Sequence, residues 1–272
     1  MSTINKQNKG LKRNTIDKFY TKKDVAKQCI DLIKKEIKIN KNDLIIEPSA
    51  GNGVFINFIK NISKNIKCYD IDPDNDDIIK KDFLKLEINF NKKIHFIGNP
   101  PFGRQSSMAI KFIKKCCEYG KSISFILPKS FKKNSMIKHF TLDFHLVKQI
   151  DLDKNSFLLN NEEYDVPCVF QIWVKKDFNR EVPKKIEPIN FKFVKKDENP
   201  DISFRRVGVN ASNISKEIDN KSIQSHYFIK LNEVNDEIIK KLSNIKFNSE
   251  NTVGPKSISK PELIKEFNLV LS

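Results

Sequence analysis

The chain has 272 residues, 39% of them hydrophobic and 21 of them Phe, which favours one full core with an appendage over two equal domains. Its net charge of +16 favours a polyanionic partner such as nucleic acid, although a bias toward A/T-rich codons for Lys, Asn and Ile would raise the charge in the same way. The five cysteines show neither Cys-x-x-Cys spacing nor a nearby His, and no apolar stretch reaches membrane length. We therefore expect a soluble, intracellular protein without a metal site or a disulfide framework.

The structured part of the chain is predicted to follow a basic tail. Residues 1–17 are rich in Asn, Lys and Gln and are expected to be flexible. Structure is expected to start at Phe19, followed by Tyr20 and Thr21. Thr21 and Asp24 have the spacing of a capping box, and apolar residues then recur at helical spacing. The sequence therefore predicts a helix that starts just after Thr21.

A short apolar strand, a Gly-rich turn and a second helix come next. The strand ends at Glu47, and the turn reads Pro48-Ser49-Ala50-Gly51-Asn52-Gly53. Gly51 and Gly53 allow the backbone to pass close to a bound nucleoside. The dinucleotide fingerprint fails because Asn57 stands where a third Gly would be expected, and no Lys-Ser/Thr pair completes a phosphate loop. An acidic residue four positions before the first Gly resembles instead the S-adenosylmethionine loop of class I methyltransferases.

Two further carboxylates follow predicted strands. Asp70 ends the run that starts at Ile66, and at a sheet edge a carboxylate can accept hydrogen bonds from both hydroxyls of a ribose. Ile71 comes directly after it. Asp82 could bind an adenine amine while Phe83 packs on the ring. An acidic turn residue followed by a core Phe explains the same pair equally well.

The tetrapeptide Asn99-Pro100-Pro101-Phe102 ends the apolar run 94–98 and is expected to lie at the carboxyl edge of the sheet. Because proline has no N–H, the Pro100 carbonyl and the Asn99 side-chain oxygen can face outward as two acceptors. Two acceptors suit a planar amine, since two hydrogen bonds draw it toward a tetrahedral, nucleophilic shape. Phe102 offers a face on which a flat base can stack. The structural alternative is a Pro-rich turn that closes a core strand.

The order of these motifs resembles that of the N6-adenine amino-methyltransferases, in the arrangement that has the cofactor loop before the tetrapeptide. The resemblance covers roughly residues 19–175. It implies that Thr21 holds the methionine carboxylate of S-adenosylmethionine, Asp70 the ribose and Asp82 the adenine, and that Asn99 and Pro100 hold the target amine. The full cofactor set that it implies is Tyr20, Thr21, Glu47, Pro48, Ala50, Gly51, Gly53, Asp70, Ile71, Asp82 and Phe83, and its catalytic set is Asn99, Pro100, Pro101 and Phe102.

The βα alternation continues after the tetrapeptide. The resemblance implies a Rossmann-like α/β sheet of seven strands over residues 18–178. Arg104 lies in the next loop, where it could meet a phosphate. Two late strands, around 146–150 and 166–174, are joined by a loop and predict the antiparallel hairpin that closes such a sheet. In the family, an aromatic residue near this loop packs against the extruded base. Phe157 is our first candidate for that role and Tyr164 the second.

Residues 179–272 are predicted to form a small β-rich extension for substrate recognition. Apolar residues alternate around 189–193 and 202–204, and Ser259 with Glu262 predicts the cap of a last helix. Arg205 and Arg206 stand out because the chain has only five Arg. A pair of guanidinium groups suits phosphate or guanine, and a solvated pair on an exposed strand is the structural alternative.

The sequence thus predicts transfer of a methyl group from S-adenosylmethionine to adenine N6 in nucleic acid, with DNA placed first. The alternatives are RNA adenosine N6, including a cap-adjacent adenosine, guanine N2, and the side-chain amide of a protein glutamine, all of which are planar amines. A catalytically silent binding subunit would keep the same fold. Such a subunit would be expected to lose Glu47, Gly51 or Asn99, and all three are present.

Overall fold

The computed structural model describes residues 19–182, 184–247 and 256–272. The tail predicted for residues 1–17 lies outside these ranges. The helices are α1 (Lys23–Glu36), α2 (Ile56–Lys60), α3 (Ser107–Tyr119), α4 (Asn134–Ile137), α5 (Asp236–Ser243) and α6 (Lys260–Leu271). The strands are β1 (Tyr20–Thr21), β2 (Leu44–Glu47), β3 (Asn65–Asp70), β4 (Ile79–Lys80), β5 (Ile94–Gly98), β6 (Gly120–Pro128), β7 (Phe144–Asp151), β8 (Phe157–Leu159), β9 (Glu162–Tyr164), β10 (Cys168–Lys175), β11 (Phe191–Val194), β12 (Ile202–Arg205), β13 (Ile214–Ser215) and β14 (His226–Leu231).

The largest sheet has seven strands in the order β4-β3-β2-β5-β6-β10-β7. Its first five strands are parallel, and β10 lies antiparallel to both β6 and β7. The seven-stranded Rossmann-like sheet and its closing hairpin are therefore confirmed. The chain runs outward from β2 through β3 to β4 and returns to the other side of β2 with β5. Because strand order reverses there, a crevice is expected at the carboxyl ends of β2 and β5.

Buried side chains cover both faces of this sheet and fix its position between the helices. On one face α1 contributes Val25, Ala26, Cys29, Ile30 and Ile33 to an apolar cluster with the strands, and on the other α3 contributes Ala109, Phe112, Ile113 and Cys116. The strands β2, β5 and β6 read as near-continuous apolar runs, as strands covered on both faces do. No helix within the described ranges is both long and apolar enough to cross a membrane.

At the amino edge of the sheet, a buried polar chain links three neighbouring strands. His95 Nδ1 lies 2.7 Å from Ser122 Oγ, and its Nε2 lies 3.3 Å from Asp43 Oδ2. All three residues are buried. Burial lowers the pKa of His95, against the opposing effect of Asp43. Because all three side chains are buried, we assign this hydrogen-bonded group the structural role of aligning the starts of β2, β5 and β6.

A second, three-stranded sheet in the order β1-β8-β9 corrects one prediction about the first helix. Thr21 pairs with Phe157 of β8, and Lys22 rather than Thr21 is the N-cap of α1, without a side-chain cap. The predicted capping box of Thr21 and Asp24 is therefore wrong. The reason is competition, because strand pairing fixes the Thr21 backbone and the side chain turns toward Asn99 instead.

The extension forms a four-stranded antiparallel sheet in the order β11-β14-β12-β13, packed against α5 and α6 around its own apolar cluster. The predicted capping box of Ser259 and Glu262 is confirmed at the start of α6, whereas α5 has no counterpart among the predicted elements. Glu262 also binds Lys133, at 3.1 Å, and Lys133 donates to the carbonyl of Ser257 at 2.8 Å. Lys133 follows β6, so this contact attaches the extension near the carboxyl edge of the large sheet.

Candidate active site

The predicted tetrapeptide lies at the carboxyl end of β5, beside the end of β2. Asn99 is partly buried, and its Oδ1 has no hydrogen-bond partner among the described residues. Its Nδ2 donates to Thr21 Oγ1 at 3.3 Å, and its backbone carbonyl accepts from Ser49 Oγ at 3.3 Å. Pro100 is buried and Pro101 is exposed. The amide is thus held through its nitrogen, while its oxygen is the group left without a donor.

Phe102 is partly buried and packs against the apolar cluster on the α1 face of the sheet. The loop after it turns sharply. Gln105 and Ser106 have φ values of 52° and 62°, which are unusual for residues other than glycine. Arg104 is exposed on this loop. Strain of this kind often marks a functional loop, and Arg104 remains a candidate for a phosphate contact.

The Gly-rich turn is held tightly between β2 and β3. Gly53 has φ of 78°, and a Cβ at this position would lie 2.7 Å from Ile56 Cδ1 and 2.8 Å from Asn75 Nδ2. The Ala50 N–H donates to the carbonyl of Tyr69 at 2.9 Å. The Tyr20 ring packs against Gly51, and its hydroxyl donates to Asp74. The turn therefore adopts this conformation only because position 53 carries no side chain.

Asp70 ends β3, as predicted, and both of its carboxylate oxygens bind backbone. Oδ2 accepts from the Gly51 N–H at 2.8 Å, and Oδ1 accepts from the Asp72 N–H at 2.9 Å. Each carboxylate oxygen can accept a further hydrogen bond, so these contacts leave room for a ligand hydroxyl. Ile71, directly after it, is 56% exposed. A carboxylate beside an exposed apolar side chain suits a ligand that carries both hydroxyls and a flat ring.

Glu47 is a buried carboxylate at the end of β2. It is 1% exposed, and its Oε2 has no hydrogen-bond partner in the described ranges. Burial raises the pKa of Glu47 well above its ordinary value, the nearby negative charge of Asp70 raises it further, and a hydrogen bond with the Cys68 side chain acts in the opposite direction. A cation or a strong donor beside Oε2 would remove this cost.

Two aromatic residues that were predicted to contact a ligand, Phe83 and Phe157, lie in the core instead of facing the crevice. Phe83 is 1% exposed, and its ring stacks on Phe112 at a centroid distance of 5.6 Å. Asp82 caps the 3-10 turn that Phe83 begins, since its Oδ1 accepts from the Leu84 N–H at 2.9 Å. This arrangement corresponds to the structural alternative for the pair. A contact between Phe83 and a cofactor ring has no support from its position.

In the late loop, the first candidate for packing on a target base is likewise buried. Phe157, our first candidate for packing on a target base, is 1% exposed and belongs to the apolar cluster on the α1 face. Tyr164, the second candidate, lies opposite Phe157 in the β8-β9 pair, is partly exposed and stacks on Phe19 at a centroid distance of 5.1 Å. Of the two side chains, Tyr164 is the one with surface to offer a base.

Arg205 and Arg206 lie at the end of β12 in the extension. Arg205 Nε donates to the Val207 carbonyl at 3.2 Å. Arg206 donates to the Gln224 carbonyl from Nε and from one terminal nitrogen, and its guanidinium lies over the Tyr227 ring. The pair is therefore held in place by the extension itself. Each guanidinium retains further N–H donors for an outside partner.

Sequence reasoning missed three polar contacts of the site. Ser49 binds the Asn99 carbonyl, Asn75 donates to the Asn52 carbonyl at 3.3 Å across the Gly-rich turn, and Asp74 accepts from Tyr20. Each of these contacts joins two residues more than twenty positions apart, and the spacing of a local motif does not indicate so distant a partner. In the part of the chain that the structure covers, no group of three or more His, Cys, Asp or Glu side chains could hold a metal ion.

Comparison with known proteins relates part of the chain to methyltransferases. No family model matches the chain. A segment is 33% identical over 104 residues to the type II methyltransferase M.HincII of Haemophilus influenzae, and equally to M.HindII of strain ATCC 51907 / DSM 11121 / KW20 / Rd of that species. Each match covers 36% of this chain and 19% of the relative, so the chain spans about a fifth of the length of these proteins.

Similar solved structures include the 23S rRNA methyltransferase ErmE, at 12% identity and a TM-score of 0.46, over 60% of this chain and 71% of that one. A second is the RNA methyltransferase-like protein PH1948 of Pyrococcus horikoshii, at 16% identity and a TM-score of 0.46, over 61% and 93% of the two chains. Both similarities are too distant to carry an argument about function. The strand order of the large sheet defines the fold independently of them.

Proposed function

We propose that this protein transfers a methyl group from S-adenosylmethionine to the N6 amine of adenine in nucleic acid, and that DNA is the preferred substrate. The observation that carries the proposal is the Asn99 amide, whose Oδ1 is buried without a partner among the described residues while its Nδ2 is bound. A buried acceptor without a donor is unfavourable, so this oxygen is set up for an incoming N–H. It lies where the strand order reverses and ligands bind.

The tetrapeptide would act on the amine through two acceptors. Asn99 Oδ1 and the Pro100 carbonyl each accept one amine hydrogen, which draws the nitrogen lone pair out of conjugation with the ring. The amine loses its proton after the methyl group has been transferred, so the site demands no strong base. Rate enhancement would come from orientation and from acceptors that are already in place.

The residues around the Gly-rich turn fit S-adenosylmethionine. Gly51 and Gly53 allow the positive-φ backbone of the turn, Asp70 has acceptor capacity for ribose hydroxyls, and Ile71 offers exposed apolar surface for a ring. Glu47 Oε2, which has no partner in the part of the chain that the structure describes, fits the positive end of the methionine moiety. When bound, this cofactor supplies an electrophilic methyl group.

Nucleic acid is the proposed partner because of the net charge of +16 and because the matched relatives are type II methyltransferases. Labelled S-adenosylmethionine, offered to duplex DNA, RNA, capped RNA and protein, tests the proposal. We expect digestion of the labelled DNA to yield N6-methyladenine by mass analysis. Label in RNA adenosine, guanine N2 or glutamine would identify the corresponding alternative. Cofactor binding without any transfer would favour the silent subunit.

A further inference from the structure

We infer that Thr21 is a positioning residue, which holds the Asn99 side chain by accepting from its amide nitrogen, so that the amide oxygen faces the target amine. The inference rests on the function proposed above and assigns Thr21 a role apart from the cofactor. It starts from one contact, in which Asn99 Nδ2 donates to Thr21 Oγ1 at 3.3 Å. Thr21 is 4% exposed, so water does not readily replace this acceptor.

The orientation matters because the two ends of an amide have the same shape and opposite hydrogen-bonding character. With Oδ1 toward the crevice, Asn99 offers an acceptor to an amine. With Nδ2 there, it would oppose the amine hydrogens with hydrogens of its own. Without an acceptor at Thr21, the productive orientation would leave Nδ2 unpaired in a partly buried position. By accepting from Nδ2, Thr21 removes the free-energy cost of an unpaired amide nitrogen when Oδ1 faces the crevice.

The Thr21 hydroxyl is itself held by the short sheet β1-β8-β9. Thr21 pairs with Phe157, and the Lys22 N–H donates to the Ser156 carbonyl at 3.1 Å. Phe157 anchors this pair in the core, where it is 1% exposed. The buried position of Phe157 therefore has a function in this arrangement. The late loop supports β1, β1 places the hydroxyl, and the hydroxyl orients Asn99.

Two substitutions separate this role from a general loss of structure. Thr21→Val keeps the branched shape and the strand preference of Thr but removes the acceptor, whereas Thr21→Ser keeps the acceptor. Thr141→Val is the matched control, because the Thr141 hydroxyl binds Asp143 in an exposed turn before β7. Thermal melts of all variants report on folding, and calorimetry with S-adenosylhomocysteine reports on the cofactor site.

Single-turnover methyl transfer at saturating cofactor is the deciding measurement. We expect Thr21→Val to lower the rate by at least about tenfold, and Thr21→Ser and Thr141→Val to stay within about threefold of wild type. A second readout needs no activity. The side-chain amide signal of Asn99 in an NMR spectrum, assigned by its loss in Asn99→Ala, should shift and exchange its hydrogens faster in Thr21→Val but not in Thr21→Ser.

Three results would overturn the inference while leaving the proposed function intact. The first is a wild-type rate for Thr21→Val at saturating cofactor, which would make Thr21 a cofactor contact only. The second is an equal loss of rate and of melting temperature in the Val and Ser variants, which would make its role purely structural. The third is an unchanged Asn99 amide signal in Thr21→Val. By contrast, a wild-type protein that methylates no substrate would overturn the proposed function, and this inference with it.

Discussion

Asn99 and Glu47 end neighbouring strands, and each has a buried side-chain oxygen without a hydrogen-bond partner among the described residues. Leaving a buried acceptor unsatisfied costs roughly 1–3 kcal/mol. Both oxygens lie where β2 and β5 meet, so one ligand-binding crevice can satisfy both. An amine donor for Asn99 and a cationic group for Glu47 are the chemically matched partners.

Substitution of Asn99 by Ala tests the role of the acceptor in catalysis. The change removes one amine contact and leaves Asp70 and the Gly-rich turn in place, so the turnover number should fall by about 100-fold or more while cofactor affinity stays near wild type. Steady-state kinetics and calorimetry measure the two quantities. Asn61→Ala, a change at an exposed asparagine after α2, is the control. Full activity of Asn99→Ala would exclude the tetrapeptide mechanism.

Substitution of Glu47 by Gln tests the burial of its carboxyl through pH. Because the pKa of Glu47 is raised in the folded protein, the native state binds the proton more tightly than the unfolded state does. The stability that comes from protonated Glu47 is complete at low pH and is lost as the pH rises through the raised pKa. Glu47→Gln lacks this loss, so its free energy of unfolding relative to wild type should be more favourable at about pH 8 than at about pH 5.

Denaturant titrations at the two pH values check this sign, with the exposed Glu87→Gln as the control. If the difference in free energy of unfolding between Glu47→Gln and wild type does not change with pH, the pKa of Glu47 is not raised in the folded protein. Repeating the titration with bound S-adenosylhomocysteine extends the test. A positive ligand group beside Oε2 should lower the pKa of Glu47 and reduce the pH dependence.

At the scale of the elements, the sequence predicted the sheet because its strands are continuous apolar runs bounded by Gly, Pro or acidic residues. The same pattern placed Glu47, Asp70 and Asn99 at strand ends, where the structure has them. The two-residue strand β1 could not be predicted, since its partner β8 lies more than a hundred residues away. Phe157 and Phe83 are buried in the core, and the sequence could not indicate this because a Phe beside a motif gives the same pattern whether it faces a ligand or the core.

The Gly-rich turn gives a prediction of its own. Gly53→Ala forces a Cβ into a backbone with φ of 78° and against Ile56 and Asn75, so we expect a loss of about 1–2 kcal/mol in stability together with weaker cofactor binding. Gly208→Ala is the matched control, because Gly208 also has positive φ, at 99°, but lies in the extension. It should lose stability without losing cofactor affinity. Equal effects on cofactor affinity would remove the turn from the binding site.

At the scale of the whole molecule, the contact of Lys133 with Glu262 and Ser257 joins the extension to the carboxyl edge of the large sheet. The Ile258 N–H donates to the Arg206 carbonyl at 2.8 Å, so the strand end that carries the two arginines lies beside this junction. We therefore expect the extension to add affinity for a substrate bound at the sheet edge.

Replacing both Arg205 and Arg206 with Ala tests this arrangement. If they bind phosphates, affinity for nucleic acid should fall across all sequences, and the plot of log affinity against log salt should flatten by about one to two units, because fewer counterions are released. If they read bases, one site should lose about 1–3 kcal/mol per contact while scrambled duplexes lose little. Titrations at several salt concentrations, with matched and scrambled duplexes, distinguish the two.

The double variant Lys92→Ala/Lys93→Ala is the control that makes the salt slope informative. It removes the same charge from exposed positions at the start of β5, on the opposite edge of the sheet from Asn99. If the extension binds the nucleic acid, only the arginine variant should change the slope. An equal change in both variants would mean that net charge alone attracts the polyanion, and an unchanged slope with unchanged site preference would exclude Arg205 and Arg206 from recognition.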